Sequence, residues 1–151
     1  SWVFGVNGNN FVKTMLKLKE NHDSLTVVND QIGSPTYTVD LAKLLVDMSE
    51  TEKYGIYHAN NSGYCSWAEF AEYILKDTNT KVIKTTTEDY YKPQYEKAEQ
   101  EGRKLFIAPR PKNSCLSKEK LKENGFNELP EWEDAVDRYQ KELKKIKQLK
   151  R

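Results

Sequence analysis

Short blocks of apolar and polar residues follow one another along this chain, and the period of each block predicts an element. Ser1-Trp2-Val3-Phe4 is an apolar run that reads as a buried strand, followed by a turn at Gly5-Val6-Asn7-Gly8-Asn9. Phe11, Met15 and Leu18 then recur at i, i+4 and i+7, which predicts a helix that Asn9 or Asn10 can cap. Leu25-Thr26-Val27-Val28 reads as a second strand, leading into a polar loop. Thr38 is the expected cap of the next helix, whose Leu41, Leu44, Leu45 and Met48 share one face. Gly55-Ile56-Tyr57-His58-Ala59 is a third strand candidate. Ser66-Trp67-Ala68-Glu69 matches a capping box, and Trp67, Phe70, Ala71, Ile74 and Leu75 continue at helical spacing. Residues 81–87 read as an edge strand.

The pattern breaks at 88–107. Glu88-Asp89-Tyr90-Tyr91-Lys92-Pro93 reads as loop, and 94–103 as a short exposed helix ending near Gly102. Ala108-Pro109-Arg110-Pro111-Lys112-Asn113-Ser114 is a further loop. A helix over 117–124 should stop at Gly125 as its C′ residue, and Pro130 should open the last helix at a first-turn position. Trp132, Ala135, Val136, Tyr139, Leu143 and Ile146 give that helix one apolar stripe. Alternating strands and helices predict an α/β class with parallel strands: part of a doubly wound sheet plus a small mixed lobe.

At 151 residues the chain reads as one unit, 1–151, long enough to bury a core. The 24 basic and 23 acidic side chains almost balance, which argues against a nucleic-acid partner. The basic excess from Lys141 to Arg151 reads as a solvated helix end rather than a nucleic-acid arm. Cys65 and Cys115 are far apart and form no metal-ligand pattern, as expected of a reduced, cytoplasmic protein. No apolar run is long enough to span a bilayer, so no membrane partner is expected. A strand-like run with no initiator Met before it is expected of a fragment of a longer protein.

The densest chemistry lies in Asp30-Gln31-Ile32-Gly33-Ser34-Pro35-Thr36-Tyr37-Thr38-Val39-Asp40. Gly33 and Pro35 shape a turn, while Gln31, Ser34, Thr36 and Thr38 bring donors and acceptors. Together with Ser1-Trp2-Val3-Phe4-Gly5 and Gly8-Asn9-Asn10-Phe11-Val12-Lys13, this stretch resembles the dTDP-4-dehydrorhamnose reductases. These are extended short-chain dehydrogenase/reductases of dTDP-L-rhamnose biosynthesis, a route to cell-surface polysaccharide. The resemblance implies the C-terminal part of a Rossmann-like doubly wound sheet with a small mixed α/β substrate-binding lobe. It also implies NADPH or NADH as cofactor of the complete enzyme, bound mainly by an upstream half that this chain lacks.

Hydride-transfer enzymes of that superfamily need a Gly-rich turn for the cofactor pyrophosphate and a Tyr-x-x-x-Lys pair for proton donation. None of the nine tyrosines has a lysine four residues later. Gly5-Val6-Asn7-Gly8 is only part of a glycine turn, with Phe11 where a third glycine would fall. No catalytic, cofactor-binding or metal residue is therefore assigned, and the chain alone is expected to be inactive.

The substrate-binding residues that the resemblance implies are Trp2, Asn10, Phe11, Gln31, Gly33, Ser34, Thr36 and Arg110. Trp2 would lie against the deoxysugar, where the flat apolar face of an indole packs on C–H groups; a core tryptophan is the alternative. Asn10 and Phe11 would sit near the nucleotide, or serve as a helix cap and a core residue. Gln31, Gly33, Ser34 and Thr36 would line the substrate side of their loop, or simply form a turn before a helix. Arg110, held between two prolines, suits a diphosphate that a guanidinium grips with two parallel hydrogen bonds, or else pins its own loop. The implied partners are a dTDP-sugar and either a second copy or the missing half. A non-catalytic regulatory or interaction domain of the same fold is the alternative function.

Overall fold

The structure, a computed structural model, describes residues 2–149. Ser1 of the expected first strand and Lys150-Arg151 of the basic end lie outside the described residues. The chain order is β1 (Trp2–Phe4), α1 (Phe11–Leu18), β2 (Ser24–Val28), β3 (Ile32–Gly33), β4 (Pro35–Tyr37), α2 (Thr38–Ser49), β5 (Asn61–Ser62), β6 (Cys65–Ser66), α3 (Trp67–Ile74), β7 (Lys81–Thr85), α4 (Thr87–Gln100), α5 (Glu119–Glu123), β8 (Leu129–Glu131) and α6 (Trp132–Leu149).

The class is mixed α/β, with strands joined in pairs. β1 pairs in parallel with β4, β2 with β7 and β5 with β8, while β3 and β6 are antiparallel. β-Branched Thr26, Val27 and Val28 suit the longest pair, whose register sets Leu25 beside Val82 and Val27 beside Lys84. The main core gathers Phe4, Val12, Met15, Phe70, Ile74, Val136 and Tyr139 between β1–β4 and the faces of α1, α3 and α6. A smaller cluster of Leu44, Leu121 and Leu129 sits under Tyr57, Ala59 and Phe126.

Local signals placed several ends correctly. Asn10 caps α1, its Oδ1 accepting from Lys13 N at 3.0 Å. Ser66 and Glu69 form the complete capping box of α3. Gly125 adopts φ 75° as the C′ residue of α5; its N–H bonds Lys122 O and that of Phe126 bonds Leu121 O. The hydrophobic contact this motif favours is present, because Phe126 and Leu121 share the smaller cluster. Gly102 ends α4 in the same way, with Arg103 N bonding Ala98 O.

Other expectations are corrected. Residues 55–59 form no strand: Ile56 is 82% exposed, no strand pairs with this stretch, and only Tyr57 and Ala59 turn inward. Residues 88–93 are helical, because Thr86 caps α4 by accepting from Asp89 N, and Pro93 is accommodated inside the helix. Thr38 is the first helical residue of α2 rather than its cap; Tyr37 holds the cap position without a side-chain bond. Pro130 lies in β8, whose pairing with β5 delays the last helix to Trp132. The helix expected over 117–124 is confined to α5. The stretch 31–36 holds two short strands, β3 and β4.

Candidate functional site

The site is built where β2 ends. Asn29 N bonds Thr85 O at 2.9 Å, so the ladder runs one step past the strand, and Ser66 Oγ donates to Asn29 Oδ1. Asp30 Oδ1 then accepts from both the backbone N–H and the hydroxyl of Thr87, at 2.9 and 2.6 Å. Gln31 Nε2 donates to the same hydroxyl at 2.9 Å. These bonds fix the start of α4 against the end of β2. The Thr87 hydroxyl bond holds the Asp30 carboxyl below its ordinary range, with further help from the Thr87 N–H and Lys112.

One residue on, Ile32 N bonds Lys112 O and Ser114 N bonds Ile32 O, both at 2.8 Å. The segment that carries Arg110 is thereby laced to β3 as if it were another strand. On the other side, Trp2 N bonds Ser34 O at 3.1 Å, and the Trp2 indole stacks on Trp67 with centroids 3.7 Å apart. Phe11 meets Trp67 at 4.7 Å.

Trp2, Phe11, Gln31 and Arg110 converge on one cleft of about 690 Å³, together with Trp67, Tyr90 and Tyr91. That size suits a small-molecule ligand. A second cleft of about 760 Å³ adjoins it, sharing Tyr91 and Arg110. Arg110 makes no salt bridge among the described residues, so its guanidinium is available to an anion.

The other four residues lie behind the cleft wall. Asn10 Nδ2 donates to Gly5 O at 2.9 Å and to Tyr139 Oη at 3.0 Å, so its amide is fully engaged in capping α1 and joining it to α6. Gly33 backs the Trp2 ring, where a β-carbon would come within 2.9 Å of Cζ2. Ser34 is buried, with its Oγ donating to Gly63 O at 2.8 Å. Thr36 is fully buried, and its hydroxyl has no partner among the described residues. In this structure these four do not line the cleft.

Cys65 is buried, which pushes its thiol up and away from nucleophilic use. Among the described residues, no group of three or more His, Cys, Asp or Glu is placed to hold a metal ion, and no helix is long and apolar enough to cross a membrane.

A family model described as the RmlD substrate binding domain matches residues 1–145. The chain belongs to this family. It is 43% identical over 144 residues to the Bacillus subtilis (strain 168) spore coat polysaccharide biosynthesis protein SpsK, covering 94% of this chain and 45% of that protein. It is 38% identical over 150 residues to the dTDP-4-dehydrorhamnose reductase of Aggregatibacter actinomycetemcomitans, covering 90% and 46%. Among solved structures, the Bacillus anthracis str. Ames dTDP-4-dehydrorhamnose reductase in complex with NADP matches with a TM-score of 0.79 at 38% identity, covering 94% of this chain and 46% of that one. The Clostridium acetobutylicum ATCC 824 reductase ortholog matches with a TM-score of 0.82 at 36% identity, covering 95% and 47%. This RmlD-family chain therefore spans about half the length of the relatives it matches.

Trp67, Tyr90 and Tyr91 also line the cleft of this RmlD-family chain. Trp67 packs against the main core, as its helical spacing predicts, and also borders the cleft, because it stands at the N-terminus of α3, half-buried beside Trp2. From the sequence, Tyr90 and Tyr91 read as part of a loop packing on the lobe, with a stacking platform as the alternative. The signal that could have placed them is Thr86, three residues before Asp89, which is a helix start.

Proposed function

We propose that this chain is the substrate-binding part of an NADPH-dependent dTDP-4-dehydrorhamnose reductase of dTDP-L-rhamnose biosynthesis, working in the cytoplasm. The complete protein would reduce C4 of dTDP-6-deoxy-L-lyxo-4-hexulose. The observation that carries the reading is the convergence of Trp2, Phe11, Gln31 and Arg110 on one cleft, in a chain that the RmlD substrate-binding model matches over residues 1–145. In this reading an aromatic corner at Trp2 takes the deoxysugar and Arg110 takes the diphosphate. Asn10, Gly33, Ser34 and Thr36 hold those residues in place.

The described residues do not fit the dinucleotide. In the Gly5–Gly8 turn, the Val6 and Gly8 carbonyls face Lys13 Nζ, and Asn10 Oδ1 takes the N–H of Lys13, the third residue of α1. A pyrophosphate cradle needs free N–H groups there. Cofactor binding and proton donation therefore fall to the rest of the protein, with which this chain would associate.

The test is NADPH oxidation by the complete protein with the 4-keto sugar nucleotide. Activity is expected there, and none from residues 1–151 alone. Trp2→Ala in the complete protein should lower kcat/KM roughly tenfold and leave NADPH affinity unchanged. Failure of the complete protein to oxidise NADPH with this substrate would sink the reading.

A further inference from the structure

We infer that α4 forms the base-reading end of the cleft: Tyr90 and Tyr91 are a stacking wall for the nucleobase of a nucleoside diphosphate whose phosphates Arg110 holds. This rests on the reading of the cleft as a sugar-nucleotide site.

The first observation is that neither ring belongs to a hydrophobic core cluster of the described residues. In α4 only Ala98 is buried, and apart from Pro93 the helix is otherwise Thr, Glu, Lys, Gln, Asp and Tyr. Its position is fixed at its first turn, by Thr87 on Asp30 and Gln31, and not by burial of the tyrosines. Tyr90 is 41% exposed, Tyr91 is half-buried, and both open onto the 690 Å³ cleft. Their rings meet edge to face, 5.1 Å apart at 86°, so each limits the rotation of the other. A wall already ordered before binding loses little entropy when a base stacks on it.

The second observation is charge. The cleft that holds Trp2 is lined by Arg110 and by no other ionisable acid or base apart from the tyrosine hydroxyls. The adjoining cleft is lined by five carboxylates, of Asp30, Glu88, Asp89, Glu96 and Glu99, against the cations of Lys92, Lys112 and Arg110, so it is acidic on balance. A diphosphate anchored on Arg110 is repelled from the second cleft and directed into the first. Tyr91 and Arg110 border both clefts, which puts a ring and a guanidinium together at the neck between them. A nucleoside diphosphate, whose flat base and dianion stand one pentose apart, matches that pairing. The sugar then extends toward Trp2, which lines the same cleft.

The experiment uses the complete protein, with dTDP and inorganic pyrophosphate as competitors of the sugar-nucleotide substrate. Tyr90→Ala/Tyr91→Ala should weaken dTDP roughly tenfold and leave pyrophosphate unchanged. Tyr90→Phe/Tyr91→Phe keeps the rings and should restore dTDP. Arg110→Ala should weaken both competitors. Alanine favours helix, so α4 should survive the double substitution, and circular dichroism verifies this. Unchanged dTDP affinity in the alanine variant overturns the inference while the reductase reading stands. Equal loss of pyrophosphate also overturns it, because the tyrosines would then be supporting the whole cleft. A wild-type protein that turns over no dTDP-sugar removes the reductase reading and this inference together.

Discussion

Gly33 lacks a side chain because the Trp2 indole stands where one would go: a β-carbon on Gly33 would lie 2.9 Å from Cζ2 and 3.0 Å from Cε2. The indole cannot retreat freely, since its face is stacked on Trp67. Gly33→Ala should therefore cost about 1–3 kcal/mol through overpacking and shift the tryptophan fluorescence as the Trp2–Trp67 pair separates. Chemical denaturation with a fluorescence readout checks both. A variant of wild-type stability with an unchanged spectrum would show that the loop yields without moving Trp2.

Asp40 ties three elements together. Arg138 on α6 grips it with two bonds of 2.8 and 2.7 Å, and Asn61 of β5 donates to it at 2.8 Å. Asn61 Oδ1 in turn accepts from Tyr37 N at 2.7 Å. Asp40→Ala removes two bonds from the Arg138 guanidinium, which keeps Asp134, and one from the Asn61 amide, which keeps Pro130 O, and should cost roughly 1.5–3 kcal/mol. The matching loss for Arg138→Ala, and less than the sum of the two for the double variant, would mark them as one unit. Thermal denaturation of the three variants decides the matter.

The Asp30–Thr87 bonds predict a pH effect. The Asp30 carboxyl lies below its ordinary 3.8 in the folded protein, chiefly through the Thr87 hydroxyl. A depressed folded value stabilises the fold above the unfolded value, and the contribution fades as pH falls through 3.8 toward the folded value. Thr87→Val removes the hydroxyl, so its stability deficit should be full near pH 6 and shrink below pH ~3.8. Denaturant midpoints of both proteins from pH 6 to pH 3 measure it. A deficit that stays constant across that range would mean that Asp30 does not depend on this bond.

Residues 1–151 alone should self-associate. Among the described residues each strand pair has open edges, and Val3 on β1 and Ile83 on β7 are each 51% exposed. Unpaired edges flanked by apolar side chains recruit further strands. Light scattering across a concentration series should show dimers or larger species. A monomer at high concentration with β1, β2 and β7 strongly protected from hydrogen exchange would contradict this.

Features set by a few neighbouring residues were legible in the sequence. The caps at Asn10 and Ser66 and the stop at Gly125 each close hydrogen bonds within three to five residues, so their pattern is sufficient. The reductase-like motifs named Trp2, Gln31 and Arg110, all of which reach the cleft. Tertiary structure decided whether a segment with strand or helix character found a partner. Gly55-Ile56-Tyr57-His58-Ala59 has strand composition but no neighbouring ladder, whereas Leu129–Glu131 pairs with β5 despite Pro130. It also decided which polar residues face the cleft. Asn10, Ser34 and Thr36 carry the same kinds of groups as Gln31, yet they lie behind the wall, with Asn10 and Ser34 engaged by partners far along the chain at Tyr139 and Gly63. Those partners are 129 and 29 residues away, a distance that local pattern cannot bridge and only the packed chain brings into hydrogen-bonding range.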